Sequence, residues 1–129
     1  MSFLKGIFTW WDGATWGTRL FSARNGAKIG TDAAGNAYFE SKKPVGGRTR
    51  RWVIYQGAND ASRIEPAWYG WLHGTTDIVP GDLPPPRAWQ KPPVPNLTGT
   101  EAAYRPAGAL ERGGNRAAAT GDYEAWSPN

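Results

Sequence analysis

Seven of the nineteen residues between Ile78 and Asn96 are proline. Proline fixes its own φ near about −65° and has no backbone N–H, so neither a helix interior nor a central strand can run through this stretch. Polyproline II is its natural state. A folded body in this 129-residue chain must therefore be built mainly upstream of Ile78. Downstream, "NLTGTEAAYRPAGAL" carries turn character around Thr98–Thr100, and "ERGGNRAAATGDYEAWSPN" is small and polar. The expectation for 80–129 is an extended proline-rich arm and tail, largely unstructured in the free chain.

The upstream part has little aliphatic material. Val, Ile, Leu and Phe together number 19 of 129 residues, below the level of roughly 20% that marks a comfortable core. Eight tryptophans and five tyrosines make up part of the difference, because each can bury a large area. The expected body is small and aromatic, and its arms need another protein to lie on. The net charge of +4 is a mild bias that permits anionic partners without demanding them. There is no cysteine, which excludes disulfides, thiolate nucleophiles and cysteine-based zinc or iron–sulfur sites. No apolar run approaches the roughly 20 residues of a membrane span. The opening reads poorly as a signal peptide, because glycine and Asp12 interrupt its apolar run. The chain reads as soluble or peripheral.

The pattern predicts an α+β fold: a small antiparallel sheet of three to four strands, an N-terminal amphipathic helix, one short helix and the long arm. The expected divisions are 1–26, 27–79 and 80–129. Ser2 can cap a first helix, and Phe3, Leu4, Ile7, Phe8 and Trp11 then share one face. That face suits a partner's groove or a membrane interface better than water. A strand near Lys28–Thr31 meets a turn at Asp32–Asn36, where Gly35 can take positive φ. Ala37–Glu40 and Arg48–Tyr55 follow as strands, separated by a turn in "KKPVGG". Alternation puts Arg51, Val53 and Tyr55 on one face, with Arg50, Trp52 and Ile54 on the other. Apolar groups on both faces predict that this strand is central, with Trp52 in the core. Ser62 and Glu65 fit a capping box ahead of a helix Pro66–Leu72, closed by Gly74. Trp68, Trp71 and Leu72 lie on one side of it.

Chemistry is hard to find. His73 is the only histidine, and at a helix C-terminus it suits the terminal carbonyls better than catalysis. One histidine without cysteine offers no metal-ligand spacing. "GTDAAGN" lacks the lysine of a phosphate loop and reads as a hairpin turn. Arg48, Arg50 and Arg51 beside Trp52 and Tyr55 are the one constellation that stands out. Arginine with aromatics on a sheet can hold phosphates and stack bases, or it can anchor a protein interface. Basic residues elsewhere are interleaved with acids, which argues against a phosphate-tracking groove.

Four ordered stretches, "IGTDAAGNAYFE", "RRWVIY", "ASRIEPAWYGWLHGTTD" and "NLTGTEAAYRP", resemble a family of accessory subunits of respiratory complex I (NADH:ubiquinone oxidoreductase). The likeness runs from about Gly13 to Pro106. Where that family commonly reads Pro-Pro-Glu-Trp-His, this chain has Glu65-Pro66-Ala67-Trp68-Tyr69. The resemblance implies a bacterial member with no active site and no cofactor, peripheral on the cytoplasmic side of the inner membrane. The partners it implies are the iron–sulfur and quinone-module subunits and other accessory subunits, with the N-terminal helix available to touch the membrane surface. Neither nucleic acid nor a small-molecule substrate is expected. The expected docking residues are Trp10, Trp11, Arg50, Arg51, Trp68, Trp71, His73, Asn96, Thr98, Gly99, Thr100 and Tyr104. Two alternatives remain: an assembly factor for the same complex, to which the family is related, and a small single-stranded nucleic-acid-binding protein.

Overall fold

The computed structural model describes residues 3–8, 13–115, 117–123 and 125–128. The chain divides into two compact units, Met1–Pro95 and Asn96–Asn129. The first carries the regular structure.

Two N-terminal helices, α1 (Phe3–Phe8) and α2 (Trp16–Asn25), stand where the sequence predicts one. Gly13 takes a φ of 77° between them. Thr15 then restarts the helix, with extended backbone and a side chain accepting from the Thr18 N–H at 3.2 Å. A left-handed glycine followed by a threonine cap is a stronger local signal than the apolar face running through it. Trp10 and Trp11 lie outside the described residues.

Three antiparallel strands follow, β1 (Gly26–Thr31), β2 (Ala37–Ser41) and β3 (Arg51–Ile54), in that order across the sheet. This corrects the expectation that Arg48–Tyr55 is central: β2 is the middle strand and β3 an edge. The two-sided apolar pattern of β3 reports that both its faces are covered, by the helix Pro66–Leu72 on one side and α2 on the other. Side chains carry no record of whether the strand's backbone edge is paired.

The β1–β2 turn is held by a polar knot. Asn36 is fully buried. Its N–H and its amide group both donate to the Asp32 carboxylate at 2.9 Å, the amide also donates to the Arg63 carbonyl, and its Oδ1 accepts from Gln56 N–H at 3.0 Å. Gly35 completes the turn at φ 85°, as the sequence predicts. The Tyr38 hydroxyl donates to the same carboxylate at 2.8 Å. Burial, and then the bond to Asp32 and its charge, push the Tyr38 phenol well above its usual value. Burial also raises Tyr55. The folded state therefore holds these protons more tightly than the unfolded chain, whose tyrosines titrate near about pH 10. Stability should be fully present below that pH and fall as pH rises through it. Urea midpoints measured from roughly pH 8 to 11 should show this decline, and Tyr38→Phe should flatten it.

Helix α3 (Pro66–Leu72) lies on one face of the sheet. Its bounds match the sequence reading, with Pro66 in the first turn and Gly74 past the end at φ 70°. The predicted Ser62–Glu65 capping box is absent. Instead the Asp60 carboxylate caps the preceding turn, Ala61–Arg63, by accepting from Ser62 N–H. Asp60 competes for the same donor from two residues upstream and wins, and the bond holds its carboxyl below the usual range.

Trp68 and Trp71 point from α3 into the sheet and form the core with Tyr38 and Ile64. Tyr38 and Trp68 stack at 4.1 Å and 4°, and Trp71 meets both rings edge-on. The pairing of β1 with β2 steps from Lys28↔Phe39 to Gly30↔Tyr38, so Ile29 is an extra residue on β1. Gly30 then lies under the indole of Trp68, and a Cβ there would stand 2.6 Å from the ring. Gly30→Val should displace Trp68 and cost about 1–3 kcal/mol, read as a lower urea midpoint.

Trp52 is on the opposite face, which corrects its expected place in the core. It packs against Phe21 and Phe39, and its Nε1 donates to the buried Ser22 Oγ of α2 at 2.9 Å. Among its described residues, the second unit, Asn96–Asn129, has turns and one 3-10 helix, Leu110–Arg112. Arg105 pairs with Glu111 at 3.0 Å within it.

Candidate docking site

Two adjacent arginines, Arg50 just ahead of β3 and Arg51 at its start, divide between two environments. Arg51 points toward α3. Its Nε donates to Glu40 at 3.1 Å, and one terminal nitrogen donates to the carbonyls of Trp71 at 2.8 Å and Thr76 at 3.1 Å. The other donates to Asp77. Its guanidinium carbon sits 4.7 Å over the Trp71 ring, and only 12% of the side chain is exposed. Glu40 is opposite Arg51 in the β2–β3 register, which explains that pairing. The Trp71 carbonyl belongs to the last turn of α3, where a cation is favoured. The fork is thus used within the fold. Of the expected docking residues, Trp68 and Trp71 are buried in the core and Arg51 is engaged within the fold.

Arg50 projects the other way and is exposed. It lies on the rim of an open groove of about 900 Å³ between the end of α2 and the β2–β3 connection. Trp52, Phe21 and Val45 supply its apolar surface, and Arg24, Lys42 and Lys43 join Arg50 around it. No acidic side chain lines it. Lys42 is occupied, because its ammonium donates to the Ala23 and Arg24 carbonyls at 3.4 and 3.1 Å. Sequence reasoning missed Phe21, Arg24, Lys42 and Lys43. A signal was present: residues 41–59 hold five basic residues and no acidic one.

The remaining expected docking residues fall into two places. His73 is exposed at the end of α3, with its ring edge-on to Tyr69 at 4.1 Å. In the second unit, Asn96, Thr98, Gly99 and Thr100 make a single turn. The Asn96 side-chain Oδ1 accepts from the N–H and hydroxyl of Thr98, Thr100 N–H donates to the Leu97 carbonyl, and Gly99 has φ 82°. Tyr104 is exposed in that unit. Among the described residues no group of three or more His, Cys, Asp or Glu could hold a metal ion. No helix among them is long and apolar enough to cross a membrane.

A family model described as NADH ubiquinone oxidoreductase subunit NDUFA12 matches residues 26–128, which takes in the whole sheet, α3 and the proline-rich stretch. The chain belongs to the NDUFA12 family. Among relatives, NADH dehydrogenase [ubiquinone] 1 alpha subcomplex subunit 12 of Dictyostelium discoideum is 37% identical over 84 residues, covering 63% of this chain and 60% of its own length. The Bos taurus protein of the same name is 38% identical over 100 residues and 68% of each chain. An uncharacterised protein of Rickettsia prowazekii is 37% identical over 71 residues, 54% of this chain and 71% of its own. The NDUFA12 match begins at Gly26, so α1 and α2 lie outside it, while the groove's β2, β3 and the connection between them lie inside.

Proposed function

We propose that this chain is a non-catalytic accessory subunit of respiratory complex I. In this reading it docks on the peripheral arm near the membrane, on the cytoplasmic side of a bacterial inner membrane, and stabilises or helps assemble the NADH:quinone oxidoreductase. The family match across residues 26–128 carries the reading, and the names of the Dictyostelium and bovine relatives support it. The structure supplies a physical reason. Among the described residues the buried apolar core is four side chains, while Leu4, Phe8, Leu20 and Phe21 are exposed apolar side chains on the two N-terminal helices. Such surface is normally covered by another protein. Arg50, His73, the Asn96–Thr100 turn and Tyr104 are the docking residues this reading retains, and its partners are the iron–sulfur and quinone-module subunits.

A pull-down of the tagged chain from detergent-solubilised membranes tests it. A subunit remains in mature, active complex I. Recovery only with immature subcomplexes would mark an assembly factor instead, and recovery with neither would overturn the proposal.

A further inference from the structure

Beneath the reading as a docked subunit is a more specific question: what chemistry fills the groove between α2 and the β2–β3 connection? Three of its cations, Arg24, Lys43 and Arg50, are uncommitted, with no ion pair or side-chain hydrogen bond among the described residues. The neighbouring carboxylate on β2, Glu40, is held by Arg51 on the other face of the sheet. A helix C-terminus ordinarily repels an anion, but Lys42 donates to the last carbonyls of α2 and offsets that repulsion. The apolar part offers surface without a donor, since the Trp52 N–H is already bonded to Ser22.

We infer that this groove binds a short acidic segment of a neighbouring subunit, one in which carboxylates flank an apolar or aromatic side chain. The carboxylates meet Arg24, Lys43 and Arg50, and the apolar side chain lies on Trp52 and Phe21. Arginine forks match carboxylates bidentately, and charge complementarity of this kind sets register and specificity. The shape favours a peptide over a bilayer, because half-buried Trp52 cannot reach a flat surface as a protruding side chain would. It also favours a peptide over nucleic acid, whose binders neutralise roughly 6–10 phosphates, more than three free cations supply.

The inference rests on the subunit reading, and two measurements separate their fates. In the first, the full-length chain is titrated with a blocked Glu-Asp-Leu-Glu-Phe-Asp-Glu peptide while the Trp52 indole N–H resonance is followed. The peptide should shift that resonance and the amides of 42–50. The glutamine/asparagine analogue should bind about tenfold or more weakly, and R24E/R50E should abolish the shifts while keeping the folded indole signal. Equal binding of the neutral analogue, no shift at all, or a stronger response to phosphatidylglycerol vesicles or a single-stranded oligonucleotide would overturn the inference. In the second, tagged wild type and R24E/R50E are compared in solubilised membranes, where the variant should be lost. Equal retention overturns the groove as a docking site and leaves the subunit reading standing. Loss of wild type itself overturns the subunit reading, and the titration then decides the groove alone.

Discussion

Trp71→Ala should leave this domain largely unfolded at room temperature. Trp71 is only 2% exposed, and it meets Tyr38 and Trp68 edge-on while the Arg51 guanidinium covers its ring. Truncating a buried tryptophan costs about 3–5 kcal/mol. Small domains have total stabilities near the low end of roughly 5–15 kcal/mol, so the loss takes most of what holds this one together. No other fully buried aliphatic cluster exists among the described residues to collapse into the space, since the core is Tyr38, Ile64, Trp68 and Trp71. Trp52→Ala should cost less, because Trp52 is half-buried on the other face. Its main consequence is an unpaired Ser22 hydroxyl. Urea midpoints by circular dichroism would rank the two, and a Trp52 variant that unfolds first would contradict this account of the core.

Arg51→Ala should be nearly as damaging, while Arg50→Ala should be silent in the free protein. Removing the Arg51 fork takes the donor from the Thr76 carbonyl and the partner from Glu40, while the Trp71 carbonyl loses one of its donors and keeps the Gly74 N–H at 3.1 Å. Unsatisfied buried groups cost about 1–3 kcal/mol each. The Asp77 pair adds little, because that carboxylate is 91% exposed. A total of roughly 2–4 kcal/mol is expected. Arg51→Lys should recover only part of it, since an ammonium cannot reproduce the planar fork. Arg50, by contrast, is solvated, and its replacement should stay within about 0.5 kcal/mol. Thermal unfolding of the three single variants settles the point. Equal melting of the Arg50 and Arg51 variants would show that the fork carries no special share.

Much of this architecture is legible in the sequence where one residue type dictates a local geometry. Gly35 marks the hairpin, Pro66 and Gly74 bracket α3, and alternation along Arg48–Tyr55 sends Arg50 and Arg51 in opposite directions. The α+β class follows from those signals. What is not legible depends on residues distant in the chain. Whether a tryptophan is core depends on the surface it meets, and Trp68 is seated by Gly30, 38 positions earlier. Which arginine is internal depends on Glu40 in the neighbouring strand and on carbonyls in the last turn of α3 and just beyond it. The break before α2 depends on a single glycine whose sign of φ the apolar pattern hides. The groove around Arg50 is assembled from α2 and the β2–β3 connection, and only the acid-free run 41–59 hinted at it.

The contacts of Arg51 also have a mechanical side. The guanidinium closes loops of 20, 25 and 26 residues to Trp71, Thr76 and Asp77 with one side chain, and Asp77 immediately precedes the proline-rich stretch. Proline-rich chain is semi-rigid, so tension applied along it arrives at Asp77 and Thr76 and passes through Arg51 into β3 and, by Glu40, into β2. A pull on this stretch is therefore borne by the sheet, and α3 cannot peel away from its C-terminal end while the guanidinium is in place.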